Sequence, residues 1–147
     1  MRFFMSRFED ETLALLRIMA GLMFAQHGAQ KLLGAFGGMG DSGATAAPFT
    51  MMWVAGVLEL VGGLLIALGL LTRPVAFLLS GQMAAAYFMA HFSQGFWPIQ
   101  NGGELSALYC FLFLYLSARG PGRYSLDAVV FRKHMDADRR VPAGARY

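Results

Sequence analysis

The sequence predicts an all-α integral membrane protein, a four-helix bundle with both termini in the cytoplasm. The chain of 147 residues is 56% hydrophobic and 14% charged, whereas a soluble domain averages about 25% charged residues. The long stretch from Ile18 to Ala118 has as its charged residues only Lys31, Asp41, Glu59, Arg73 and Glu104. This composition excludes a disordered chain, a nucleic-acid binder and an ordinary soluble enzyme.

Apolar segments of the chain are long enough, or nearly so, to cross a bilayer. A helix needs about 20 residues to cross a hydrocarbon core of ~30 Å. We predict spans at 12–34, 50–72, 74–92 and 103–118, between an N-terminal tail (1–11) and a basic cytoplasmic tail (119–147). Glycines and Pro48 predict a loop after the first span. The short connection at Arg73 makes the second and third spans an antiparallel hairpin.

The positions of lysine and arginine predict the orientation. Of the 12 Lys and Arg residues, only Lys31 falls on the side of the first and third connections. Because cytoplasmic loops carry an excess of positive charge, both termini are predicted to be cytoplasmic. In the C-terminal tail, Ser125 is predicted to cap a short amphipathic helix that reaches Lys133 and lies on the membrane surface. Acidic residues at 9–11 interrupt the basic N-terminal region, so we expect no cleaved signal peptide.

Small residues are predicted to hold the helices together. The hydrophobic effect does not drive helix association inside lipid, so close backbone contact at small side chains matters. Gly56 and Gly63 share a helical stripe with Glu59, and we interpret these glycines as packing residues rather than as a phosphate-binding loop. Gln82 is interpreted as hydrogen-bonded to a neighbouring helix rather than to a substrate, and Arg17 as a snorkelling anchor.

Polar side chains at membrane depth are the candidate functional residues, because ionisable groups are costly in lipid and therefore face a bundle interior or a cavity. Glu59 lies about 13 Å below the predicted outer edge, and His27 lies about 22 Å above the inner edge, so the two are level. We predict one polar pocket, open to the outer face, with contributions from all the spans. The candidates are Gln26, His27, Gln30, Lys31, Glu59, His91 and Glu104.

Some of these residues have a second interpretation. Lys31 either snorkels to the outer headgroups or pairs with Glu59 or Glu104. His91, close to the predicted interface, is either a hydrated boundary residue or a site residue. The single cysteine, Cys110, excludes an intramolecular disulfide and a Cys-rich metal site, and no metal site is predicted. The methionines are expected to fill gaps between helices, with a copper site as a weaker alternative.

Several motifs together resemble the DoxX family of small bacterial membrane proteins. The first span contains FAQHGAQKLLG at 24–34, and the second contains ELVGGLL followed by GLLTR. His91, the Gly103-Glu104 pair and GRYSLD at 122–127 continue the resemblance. It implies a four-helix, multi-pass protein of the bacterial inner membrane. Such a protein is similar to the DoxD-type small subunit of thiosulfate:quinone oxidoreductase and to membrane partners of superoxide-defence proteins.

The residues and the resemblance leave three functional hypotheses open. The first is a redox- or oxidative-stress-associated subunit whose pocket binds a quinone, or a small sulfur compound delivered by an oxidoreductase partner. The second is a noncatalytic scaffold that recruits partners. The third is a proton-coupled carrier that forms a homo-oligomer to enclose a path. The chain has no catalytic motif, so catalytic residues stay unassigned. A haem held by His27 and His91 is disfavoured because the sequence has no haem motif.

Overall fold

The computed structural model describes residues 7–130, and the regular elements in this range are helical. The helices are α1 (Glu9–Leu33), α2 (Met51–Leu68), α3 (Thr72–Gln94), α4 (Pro98–Asn101), α5 (Glu104–Arg119) and α6 (Leu126–Val130). Residues 7–130 contain no strand, and one isolated bridge joins Met39 to Ala44. The all-α prediction is therefore confirmed. Parts of the predicted tails, residues 1–6 and 131–147, lie outside the described residues.

Within the described range, two helices, α2 and α3, have the length and the apolar composition to cross a membrane. α1 is longer, with 25 residues, but the polar residues of its second half make it less apolar. α5 has only 16 residues. The crossing of the membrane by α1 and α5, and with it the count of four spans and the placement of both termini in the cytoplasm, stays a prediction.

Glycines in a left-handed conformation set the ends of α1 and α2. Gly34 follows α1 with a φ of 67°, and Gly69 follows α2 with a φ of 70°, a conformation that glycine adopts without strain. α2 therefore ends at Leu68, before the predicted boundary at Thr72, and Thr72 instead begins α3. The connection 69–71 makes α2 and α3 an antiparallel hairpin. We call this end of the molecule the turn end and the opposite end, with connections 34–50 and 95–103, the loop end.

Glycines also bring α1 and α2 into backbone contact. A Cβ atom placed on Gly21 would lie 2.5 Å from the carbonyl oxygen of Gly63, and one placed on Gly28 would lie 2.6 Å from that of Gly56. No other residue fits at such distances, because the atoms that a side chain would meet belong to the backbone. The interpretation of Gly56 and Gly63 as packing residues is confirmed, and their contacts on α1 are glycines with the same spacing.

α3 packs along α5, and a shared core joins these helices to α1 and α2. The ring of Phe24 on α1 lies 5.1 Å from that of Tyr109 and 4.9 Å from that of Phe113, both on α5. Ile66 of α2 and Leu79 of α3 are fully buried in the same cluster. The aromatic contacts therefore hold α1 against α5, at a position on α1 beside its glycine contact with α2.

At the turn end, a buried arginine completes the end of α2. Arg17 is 1% exposed. It donates hydrogen bonds to the carbonyl oxygens of Ile66 at 2.6 Å, Ala67 at 2.7 Å and Tyr124 at 2.7 Å. The last carbonyls of a helix lack partners within the helix, and the guanidinium supplies them here with charge-assisted bonds. The interpretation of Arg17 as a snorkelling anchor is therefore wrong.

Asp127 ties the segment after α5 to the α2–α3 hairpin. Its buried carboxylate accepts hydrogen bonds from the backbone N–H groups of Leu71 at 2.7 Å and Thr72 at 2.9 Å, where α3 begins. The predicted cap of the short C-terminal helix is confirmed, because the Ser125 hydroxyl accepts a hydrogen bond from the N–H of Ala128 at 3.2 Å. The predicted extension of that helix to residue 133 lies outside the described residues.

Replacing Asp127 with alanine is expected to lower the free energy of unfolding by about 1–2 kcal/mol, because the first N–H groups of α3 lose their side-chain acceptor. Thermal unfolding of the purified protein in detergent measures this change. Asp41→Ala is the matched control, since Asp41 is exposed in the first connection and its loss should change stability by less than about 0.5 kcal/mol. An equal loss in both variants would contradict the capping role.

Candidate functional site

A cavity of about 370 Å³ lies between α1, α2, α3 and α5 at the loop end. Its wall is mostly apolar. Its polar lining consists chiefly of His27, Lys31, Glu59, Gln82, His91 and Ser106. Small-molecule sites have volumes of about 300–1,000 Å³ and combine an apolar wall with a few polar groups. The size and the lining of this cavity therefore suit a small molecule.

Lys31 and Glu59 form an ion pair in the wall of the cavity. The Lys31 ammonium donates to Glu59 Oε2, and the side chains are 18% and 5% exposed, respectively. The amide nitrogen of Gln82 donates to Glu59 Oε1 at 3.3 Å and to the carbonyl oxygen of Ala55 at 3.2 Å. Of the alternatives for Lys31, the structure has the pair with Glu59 and not that with Glu104. The predicted hydrogen bonding of Gln82 to a neighbouring helix is confirmed.

Two π-helical turns carry residues of the cavity. Glu59 lies in the π turn Leu58–Gly62 within α2, and His91 ends the π turn Tyr87–His91 within α3. A π turn contains an extra residue, so the side chains on either side of it are rotated relative to a regular α-helix, and such turns are frequent at functional sites. The direction of both side chains therefore depends on these turns.

The loop before α5 orients His91. Its Nδ1 atom lies 3.1 Å from the carbonyl oxygen of Asn101. A carbonyl only accepts hydrogen bonds, so Nδ1 carries a proton and Nε2 of the neutral ring is left as an acceptor. Asn101 is itself buried, and its side chain donates to the carbonyl of Gly95 at 2.7 Å and accepts from the N–H of Gly103 at 2.8 Å. These bonds fix the loop and thereby the imidazole ring.

Three predicted candidates do not line the cavity. Gln26 directly precedes His27, and Gln30 directly precedes Lys31, both lining residues of α1. Successive residues of a helix are rotated by about 100° about its axis. This rotation directs Gln26 to the exposed surface and leaves Gln30 partly exposed. Glu104 is exposed at the first residue of α5, and the two residues after it line the cavity instead. The other four candidates all line it.

Sequence reasoning missed much of the wall. Ser106 and Tyr109 of α5 line the cavity, and their spacing of three residues, which places them on one helical face, is the signal that identifies them. Met51, Met52 and Met89 were expected to fill gaps between helices. They line the cavity while remaining 69%, 48% and 61% exposed, so the cavity reaches the molecular surface beside them.

The polar groups of the cavity suit hydrogen bonding and proton movement. Lys31 supplies a donor, Nε2 of His91 supplies an acceptor, and the imidazole of His27 makes no hydrogen bond to another residue of the described range. Among residues 7–130, no group of three or more His, Cys, Asp or Glu side chains lies close enough together to hold a metal ion. The apolar wall and the few polar groups of the described lining suit an organic ligand with polar oxygens.

Comparison with known proteins places the chain among membrane proteins. A family model described as DoxX matches residues 12–92. The chain is 46% identical to an uncharacterized protein of Haemophilus influenzae, over 88% of this chain and 98% of the relative. It is 31% identical to CatD of Bacillus subtilis, whose name proposes an oxidoreductase, over 85% of this chain and 90% of the relative. It is 30% identical to the inner membrane protein YqjF of Escherichia coli, over 88% of this chain and 99% of the relative. No solved structure shows significant similarity.

Proposed function

Since this chain belongs to the DoxX family of membrane proteins, we propose that it is a redox-associated subunit of the bacterial inner membrane whose cavity binds a quinone. The observation that carries the proposal is the ion pair of Lys31 and Glu59, buried in an apolar cavity that His27 and His91 also line. In this proposal α1 and α5 cross the membrane beside α2 and α3, both termini are cytoplasmic, and the cavity lies in the outer half.

The donors and the walls of the cavity suit a quinone better than a small sulfur compound. A quinone is a flat ring with carbonyl oxygens at opposite edges, so it needs a few donors and an apolar wall, which Phe24 and Tyr109 help to form. A sulfur oxyanion needs a cation that is not already neutralised. Lys31 is the cation of the described lining, and Glu59 already pairs with it.

Each polar residue has a role in this proposal. The Lys31 ammonium and an imidazole N–H of His27 donate to a quinone oxygen, and Nε2 of His91 accepts a proton from a quinol hydroxyl. Glu59 keeps the Lys31 ammonium in place. At 4% exposure, its carboxylate is the most buried of the acceptors in this proposal. The group that carries electrons belongs to a partner oxidoreductase. The oxidoreductase name of the Bacillus relative supports a redox role.

Binding of tetramethylbenzoquinone to the protein in lipid nanodiscs tests the proposal. We expect saturable binding, weakened about tenfold by His27→Ala, because one hydrogen bond is worth about 0.5–1.5 kcal/mol and a tenfold change in affinity is 1.4 kcal/mol. His91→Ala should have an effect of the same size. Gln26→Ala is the matched control, since Gln26 precedes His27 and lies outside the cavity, and it should change the affinity less than twofold.

The same experiment separates the alternatives. A protein without saturable quinone binding, or with equal losses in His27→Ala and Gln26→Ala, would contradict the proposed function. The scaffold hypothesis predicts that substitutions in the cavity leave the cellular phenotype intact while truncation of the basic tail abolishes it. The carrier hypothesis predicts uptake that follows a pH gradient in proteoliposomes.

A further inference from the structure

α2 and α3 contact each other near their shared turn. A Cβ atom placed on Gly62 would lie 2.8 Å from Cδ2 of Leu79. Towards the loop end, Gln82 of α3 bridges to the carbonyl of Ala55 and the carboxylate of Glu59 on α2. Beyond this bridge, the first turns of α2 pack on α1, whereas α3 packs on α5. The hairpin therefore opens towards the loop end, above the hydrogen bonds of Gln82.

The cavity reaches the surface through this opening. Met51 and Met52 on α2, Ala85, Met89 and Ala90 on α3, and Leu105 on α5 line the cavity and are also exposed. Side chains that touch both the cavity and the exterior mark its mouth, and five of these six residues lie on the two sides of the gap between α2 and α3. The side chains at the mouth are all apolar, without a charged group among these six residues.

The gap lies between the two described helices that have the length and composition to cross a membrane. An opening between such helices faces acyl chains rather than water. The geometry points to a lateral entrance from the bilayer, through which an apolar chain of the ligand extends while its polar ring is held by Lys31 and His91. This inference rests on the proposed function and narrows its ligand to quinones that carry a long apolar chain.

The chemistry of the mouth fits such a chain. Methionine side chains are flexible and adapt to apolar groups of irregular shape, and the small side chain of Ala85 leaves room between the helices. The polar groups lie deeper, at Lys31, Glu59 and His27. A ligand that enters from the bilayer therefore meets an apolar passage first and hydrogen-bonding groups afterwards, which is the order that a ring-first entry of a chain-bearing quinone requires.

Narrowing the gap tests the inference. Ala85→Trp should weaken the binding of a benzoquinone that carries a decyl chain at least tenfold, and that of tetramethylbenzoquinone, which has no chain, less than twofold. Leu78→Trp is the matched control, because Leu78 is an exposed residue of α3 that does not line the cavity, and it should change neither affinity. If Ala85→Trp does not fold, Met52→Trp on the opposite side of the gap takes its place. Equal effects on both compounds would overturn the inference.

A second measurement decides the location of the mouth independently of the ligand. In nanodiscs of brominated phosphatidylcholine, the tryptophan fluorescence of Ala85→Trp should be quenched more than that of the unsubstituted protein, and iodide in the water should add little quenching. Quenching by iodide but not by the brominated lipid would place the mouth in water and overturn the lateral entrance. Absence of binding of both quinones to the unsubstituted protein would instead contradict the proposed function, and the inferred ligand with it.

Discussion

Replacing Lys31 with methionine should lower the free energy of unfolding by about 3–5 kcal/mol, the cost of removing one partner of a buried ion pair. Glu59 is 4% exposed, so the carboxylate would lose its charged partner at a position with little contact with solvent. The hydrogen bond from Gln82 at 3.3 Å would remain to the carboxylate. Unfolding of the protein by sodium dodecyl sulfate in mixed micelles measures the change. Arg123→Met is the control, since Arg123 is exposed after α5 and its loss should cost less than about 0.5 kcal/mol.

The double variant Lys31→Met with Glu59→Leu should recover most of that loss, because apolar side chains of similar volume need no compensation for burial. The two substitutions are then strongly non-additive, as expected of residues in direct contact. This folded variant should still fail to bind tetramethylbenzoquinone, which separates the role of the pair in the site from its role in stability. A double variant as unstable as Lys31→Met alone would show that the loss has another origin.

The residues that line the site were only partly predictable from the sequence. Ionisable residues are rare in apolar segments, so Lys31, Glu59, His27 and His91 could be identified one by one. Their depth followed from the rise of a helix per residue. The choice between Glu59 and Glu104 as the partner of Lys31 did not follow, because it depends on how the helices are rotated about their axes, and nothing in the residue order reports that rotation.

The π turns show why rotation is hard to predict. A regular periodicity of 3.6 residues was assumed for α2 and α3, but each contains a turn with an additional residue at Glu59 or His91. Such a turn changes the direction of the side chains beyond it. In α2, Gln82 of the neighbouring helix donates to the carbonyl of Ala55, shortly before the π turn. Such contacts between helices are not visible in the spacing of residues along the chain.

The role of Arg17 was unpredictable for a related reason. An arginine near a helix end is ordinarily able to reach the headgroups. Here Gly69 ends α2 earlier than its apolar run suggests, which leaves the carbonyls of Ile66 and Ala67 beside Arg17. Its third acceptor is the carbonyl of Tyr124, far away in the chain. The fold thus turns a residue with a common surface role into a buried cap.

Replacing Gly28 with valine should disrupt the packing of α1 on α2 and cost about 3 kcal/mol or more, the upper range for overpacking. A Cβ atom at this position would lie 2.3 Å from the backbone nitrogen of Leu60 and 2.6 Å from the carbonyl oxygen of Gly56. Backbone atoms of a helix cannot rotate away as a side chain does, so the two helices must separate. Unfolding in mixed micelles, compared with the unsubstituted protein, measures the loss.

Separation of the helices should also remove ligand binding. A Cβ atom on Gly56 would lie 3.1 Å from Cβ of Lys31, and from there the Lys31 side chain reaches Glu59, one turn after Gly56 on α2. The ion pair therefore lies beside the glycine contact in the same interface. Gly81→Val is the matched control, because a Cβ atom on Gly81 would meet nothing within 4 Å, and its effect should stay within about 1 kcal/mol. Gly28→Ala should already show most of the loss, since the Cβ atom alone makes the clash. A neutral Gly28→Ala would mean that α1 and α2 are farther apart than the geometry requires, and that the Lys31–Glu59 pair does not depend on the glycines.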